Sequence, residues 1–197
     1  MISAEKIINR LQYDFDCRLT EQQILDIINS LEKRLAFDVV RKNQIRTYDV
    51  EPGKKIYSLD VDENRVTRVF VNDIEIPKRP SYVSYGYICE HGCIVFSDAF
   101  ESGTIYVECL VVPEEILCED VPNRNLFLDD GYDEVYIYHV LSREALMSGD
   151  IDMLNNYSLL YAEALNSLKS VLASAEKSSA EETGEAKEIS EKYKNVW

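Results

Sequence analysis

Long apolar runs, basic clusters and glycine-rich phosphate cradles are all missing from this 197-residue sequence. No stretch reaches the roughly 18 consecutive apolar residues that a membrane span needs. The first ten residues also lack the basic start, apolar middle and small-residue cleavage site of a secretory signal. Neither a span nor a leader is expected. The seven glycines stand singly in turn-like contexts, without a Walker or dinucleotide fingerprint, which removes the usual sign of nucleotide chemistry. There are two histidines, and neither lies near a serine or cysteine in a nucleophile-elbow or protease-like context, so a hydrolytic triad is not expected. The five cysteines, Cys17, Cys89, Cys93, Cys109 and Cys118, are odd in number and scattered, which argues against a disulfide framework and for free thiols in a reducing cytosol.

What the sequence has in abundance is acid. With 36 Asp and Glu against 21 Lys and Arg, the formal charge is −15, so the surface repels phosphate backbones. No Lys/Arg cluster with interleaved aromatics is present, and sequence-reading of nucleic acid is not expected. The apolar fraction of 46% is ordinary for a folded core.

Hydrophobic periodicity divides the chain into helices, then strands, then helices. Ser3 precedes Ile7, Ile8, Leu11 and Phe15 at three- and four-residue steps, the pattern of a capped amphipathic helix. Thr20 and Gln23 form a capping box ahead of Ile24, Ile27, Ile28, Leu31 and Leu35 on one face of a second helix. From about Gln44 to Val112, β-branched and aromatic residues are cut at short intervals by turn signals. A tight hairpin is expected at Asn72-Asp73, a second around His91-Gly92, and a last strand over Thr104–Val112. An acidic irregular segment follows. Val135 to Leu141 suits strand or helix by propensity, and its continuation through Met147 to a stop at Gly149 selects helix. Asp150 then caps a long amphipathic helix with a stripe of Ile151, Leu154, Ser158, Tyr161, Leu165, Leu168, Leu172 and Ala175, suited to an antiparallel pair with the helix before it. Beyond Lys177 the composition is that of a solvated tail, ending in the single tryptophan, Trp197. The expected fold class is α+β: a helical bundle with an inserted, mainly antiparallel β domain and an extended C-terminal tail. The expected parts are N-terminal helices (1–40), β domain (41–113), acidic linker (114–130), C-terminal helix pair (131–177) and partner-binding tail (178–197).

Four features invite a chemical reading. Cys89, His91 and Cys93 would supply soft metal ligands, but their spacing matches no finger or ribbon, and a plain hairpin explains them better. Asp60 to Asn64 resembles the opening of a calcium loop, yet Arg65 stands at the sharp-turn position and Val71 at that of the bidentate glutamate, which favours a solvated acidic loop. His139, inside an apolar stretch, reads as a core histidine, and Glu114-Glu115 as solvated surface rather than a glycosidase pair. No catalytic residue, cofactor or metal site is expected.

The order of parts resembles one family. Two amphipathic helices, then a β segment beginning Glu51-Pro52-Gly53-Lys54-Lys55-Ile56-Tyr57-Ser58-Leu59 and continuing Val66-Thr67-Arg68-Val69-Phe70-Val71-Asn72-Asp73, are similar to the head-tail adaptors (connector or neck ring proteins) of podovirus-type tailed bacteriophages, including the tail tubular protein A group. The closing pair, Tyr136 to Met147 and Tyr157 to Leu172 around a Gly149-Asp150 break, fits the same family. The resemblance spans Ser3 to Lys177. It implies a virion protein assembled in the host cytoplasm, forming a dodecameric ring between the portal and the tail or nozzle proteins, with genomic DNA passing through unread. It also implies that the C-terminal segment reaches the portal, with Tyr193, Val196 and Trp197 as the binding residues. Other readings are a stopper or gatekeeper ring, a non-viral β-domain binding module, and a metal-dependent enzyme using Cys89, His91 and Cys93.

Overall fold

The computed structural model describes residues 2–79 and 85–193, with side chains described as far as residue 175. The fold is mixed α+β with two antiparallel sheets, and the chain divides into two compact units: residues 1–34 with 114–197, and residues 35–113.

The first unit is helical. Helix α1 (Ala4–Asp14) begins where the Ser3 hydroxyl accepts from the Lys6 N–H, and it buries Ala4, Ile7, Ile8 and Leu11. Helix α2 (Glu21–Leu35) begins at the expected capping box: the Gln23 N–H donates to Thr20 Oγ1 at 3.3 Å while the Thr20 N–H donates to Gln23 Oε1 at 2.9 Å. Two otherwise orphaned donors are thereby satisfied. Thr20→Ala is expected to lower stability by about 1 kcal/mol, read as a shifted urea midpoint at unchanged slope.

Residues 114–130, expected from composition as an acidic linker, are packed rather than tethering. Ile116, Val121, Leu126 and Leu128 are buried. Asn29 on α2 clamps Ile116 on both sides, accepting its N–H at 2.9 Å and donating to its carbonyl at 3.0 Å. Leu126 donates its N–H to the Ile2 carbonyl, and Ala4 donates to that of Arg124. The acidic side chains occupy the exposed positions of a strap whose apolar residues follow no regular period, so periodicity gave no sign of its burial.

Helix α3 (Asp133–Ser148) carries Asp133 and Glu134 in its first turn and stops at Gly149, whose φ of 75° is a left-handed cap. It buries Val135, Tyr136, Ile137, His139, Val140 and Leu141, several faces at once, which is why it lacks a clean polar stripe. Asp133 is held by Lys6 at 2.6 Å and Arg10 at 3.2 Å, one turn apart on α1.

Helix α4 (Ile151–Tyr193) packs on α3. Its 43 residues span roughly 65 Å against roughly 24 Å for the 16 of α3, so α3 is long enough to cover only part of it. Of the expected stripe, Leu168 is buried and Leu154, Tyr161, Leu165 and Leu172 are half-buried, but Ile151, Ser158 and Ala175 are exposed. Beyond Lys177 the helix continues through Tyr193 where an extended tail was expected. The Ala, Glu and Lys content there favours helix, and Glu188 precedes Lys192 by four residues.

The second unit begins with a π-helical turn, Ala36–Val40, ended by Arg41 in the left-handed region. Strands β1 (Asn43–Asp49), β7 (Thr104–Leu110), β3 (Val66–Val71) and β4 (Ile74–Ile76) form one sheet in that order. Strands β2 (Ile56–Ser58), β6 (Cys93–Phe96) and β5 (Tyr87–Glu90) form the other. The sheets share one core: Val69, Val71, Ile105 and Val107 from the first, with Tyr57, Tyr87, Ile94 and Phe96 from the second. Strand β3 buries Val66, Val69 and Val71, a spacing that strict alternation forbids. A register shift between Val66 and Arg68 resolves it, because the extra residue, Thr67, moves the strand one step and anchors its hydroxyl on the Glu108 carbonyl at 3.0 Å.

Both expected hairpins are present. Asn72 and Asp73 (φ 50° and 64°) join β3 to β4, and His91 and Gly92 (φ 50° and 71°) join β5 to β6, each pair left-handed as a two-residue turn of this hand requires. Asn72 also accepts the Thr104 N–H at 3.1 Å, and a Cβ at Gly103 would sit 1.8 Å from its Oδ1, so only glycine fits beside that amide.

Candidate functional site

The structure disperses the residues that suggested metal chemistry. Cys89 pairs across the hairpin with Ile94, a fully buried core residue, and packs against the core with it, whereas Cys93 pairs with Glu90. Strand alternation therefore puts the two sulfurs on opposite faces of the sheet, with His91 exposed in the turn between them. Burial pushes the Cys89 thiol up to about 11, and Cys17 likewise to about 11, so both stay protonated at neutral pH and are poor ligands and nucleophiles.

The acidic run at 60–64 is equally divided. Asp60 accepts from the Tyr48 hydroxyl at 2.6 Å, Asp62 caps a single 3-10 turn through the Asn64 N–H at 2.8 Å, and Glu63 accepts the Gly92 N–H at 2.8 Å. Their oxygens serve three separate partners. Among the described residues, no three His, Cys, Asp or Glu side chains are grouped to hold a metal ion. Glu114 and Glu115 are exposed, pairing with Arg124 at 3.5 Å and with Lys33.

His139 is a core residue of α3, only 6% exposed, and its ring lies tilted against that of Tyr161 on α4 with centroids 4.9 Å apart. Burial is the main force that lowers its pKa to about 4, with the Arg34 and Arg143 charges adding to it. An imidazole held neutral inside a helix pair is a packing group. Tyr161 in turn accepts a hydrogen bond from Arg34, so α2, α3 and α4 meet around these three side chains.

What this unit does present is a cleft with exposed apolar residues near it. At the corner where α3 turns into α4 lies a cleft of about 450 Å³ whose lining includes Phe15, Leu141 and Tyr157 together with Asp16, Arg18 and Glu144. Asp16, with φ 52°, turns the chain after α1, and the following Arg18 N–H donates to Glu144 Oε1 at 2.7 Å, which fixes the rim. The same corner exposes Leu146, Met147, Ile151 and Met153. Sequence periodicity missed this surface, because it assigns apolar residues of a helix to the core without knowing where the partner helix ends.

At the far end of α4, the backbone is helical through Tyr193. The Tyr193 side chain and residues 194–197, including Val196 and Trp197, lie outside the described residues. No helix among the described residues is long and apolar enough to cross a membrane.

No curated protein matches the chain. The family model of the SU10 adaptor protein matches residues 2–183, which takes in both units and most of α4. A match of that length shows the family: the chain belongs to the SU10 adaptor protein family and is a structural adaptor of a phage, a virion component that contacts other head or tail proteins.

Proposed function

We propose that the chain is a subunit of the head-tail adaptor ring in the neck of a podovirus-type phage, assembled in the host cytoplasm, joining the portal to the tail and lining the channel through which DNA leaves. The observation that carries this reading is the adaptor-family match over residues 2–183. The −15 charge supports the channel role, since a wall that repels phosphate lets the genome slide, whereas a basic wall would hold it. A dodecamer is the ring we expect from the resemblance to portal-bound adaptors.

Portal contact is assigned to the end of α4 and the residues after it. Tyr193, Val196 and Trp197 are the anchors, because tyrosine and tryptophan bury large area at low entropic cost. A helix of roughly 65 Å is long enough to carry them well away from the α3–α4 corner.

The test is co-sedimentation with purified portal rings. The full chain should form rings on the portal, and a chain ending at Lys177 should bind about tenfold more weakly or not at all. Undiminished binding by the shortened chain would move the portal contact elsewhere. Cross-linking to a tail-side ring, with none to the portal, would favour a stopper or gatekeeper.

A further inference from the structure

An adaptor has to hold two neighbours, and the tail of α4 accounts for one of them. The α3–α4 corner lies at the other end of that helix, and it carries an unusual concentration of uncovered apolar surface. Leu146, Met147, Ile151 and Met153 fall within eight residues of sequence and are between 48% and 62% exposed. Exposed apolar residues scattered singly are ordinary, whereas four so close in sequence, with Met153 lining a cleft, offer apolar area to a partner.

The cleft next to them specifies the partner's chemistry. Its floor is apolar, from Phe15, Leu141 and Tyr157, while its rim sets the carboxylates of Asp16, Glu144 and Asp150 against the one guanidinium of Arg18. Two of these carboxylates are already positioned. Glu144 accepts the Arg18 N–H at 2.7 Å, and Asp150 Oδ1 accepts the Met153 N–H at 3.0 Å, capping α4. Negative charge fixed before the partner arrives costs little to organise on binding.

We propose that the α3–α4 corner is a second docking end, taking a segment of a neighbouring neck or tail protein that carries lysine or arginine beside large apolar side chains. This rests on the adaptor reading and names the chemistry of the second partner. Charge complementarity decides between occupants. In a ring, a second copy would present a different face, but it comes from the same chain of charge −15, and like charges brought together oppose association. A cationic segment gains at the rim what a copy loses, and it covers the apolar group in the same contact. The volume of about 450 Å³ suits one or two side chains of such a segment rather than a whole helix.

The sequence supplies its own reporters, since two of its three methionines, Met147 and Met153, lie at this corner while Met1 begins the chain. In full-length protein with labelled methionine methyl groups, the peptide acetyl-Lys-Leu-Trp-Lys-Leu-amide should shift the Met147 and Met153 signals and leave Met1 unmoved. The glutamate counterpart of that peptide should shift neither. The double variant Asp16→Asn, Glu144→Gln keeps an acceptor for the Arg18 N–H and should melt where the parent does, yet bind the lysine peptide about tenfold more weakly. Equal response to both peptides, undiminished binding by the variant, or no response at millimolar lysine peptide would each overturn the proposal. The peptide reads the corner and portal co-sedimentation reads the tail, so failure of one is distinguishable from failure of the other.

Discussion

Replacing Glu32 with alanine should cost about 3 kcal/mol or more, the largest single-residue effect expected in the helical unit. Glu32 is 3% exposed on α2. Its Oε1 accepts the Phe127 N–H at 2.8 Å and the Tyr136 hydroxyl, and that hydroxyl in turn accepts the Leu128 N–H at 3.1 Å. One carboxylate thus ties α2, the 114–130 strap and α3 together. Burial, and next the Glu32 charge, push the Tyr136 hydroxyl far above its ordinary pKa, so it remains a donor at all working pH values. Alanine leaves the Phe127 N–H and the Tyr136 hydroxyl without this acceptor inside the core, at roughly 1–3 kcal/mol each, and adds a cavity. Glu32→Gln keeps an acceptor oxygen and should cost about 1 kcal/mol. Tyr136→Phe should fall between the two, and the double variant should cost less than the sum of the singles, because both remove parts of one network. Urea unfolding followed by far-UV circular dichroism measures all four. An alanine variant within 1 kcal/mol of the parent would mean that water replaces the carboxylate without penalty.

The elements that local chemistry specifies were legible in the sequence. Ser3, the Thr20 and Gln23 pair, and Gly149 mark helix ends through groups that act within four residues, and Asn72-Asp73 and His91-Gly92 mark hairpins because few residues accept left-handed turns. Features that depend on distant partners were not. The burial of Ile116, Val121, Leu126 and Leu128 depends on partners distant in sequence, such as Asn29 of α2 at Ile116 and the start of the chain at Leu126, and an acidic aperiodic segment gives no warning of it. The Glu32 and Tyr136 pair is separated by 104 residues, so neither residue looks unusual in its own window. On β3, the step from Val66 to Val69 broke the alternation and was a readable sign of a bulge.

The candidate surface divides along the same line. Cys89 and Cys93 looked like a cluster because sequence distance ignores the two faces of a strand, and their opposite orientation follows from the hairpin register. The α3–α4 corner looked like core because Ile151 and Met147 sit in apolar helical stretches, yet both are exposed where the chain turns from one helix into the other.

Acidifying the protein from pH 6.5 to pH 4 should remove about 3 kcal/mol of stability through His139 alone. The folded state holds this imidazole neutral, with its pKa lowered to about 4 by burial and by the Arg34 and Arg143 charges, against an ordinary value of 6.5. Above pH 6.5 the group is neutral in both states, and its contribution is fully present. As pH falls between the two values the unfolded chain takes up a proton that the folded chain refuses, so stability declines until the pH passes below about 4. His139→Leu keeps an apolar side chain against Tyr161 and removes the titration. The difference in unfolding free energy between parent and variant should therefore depend on pH across this window and level off on either side. Groups common to both proteins cancel from that difference. A difference independent of pH from 6.5 to 4 would mean that the folded ring accepts its proton, and that α3 and α4 open enough to admit water beside it.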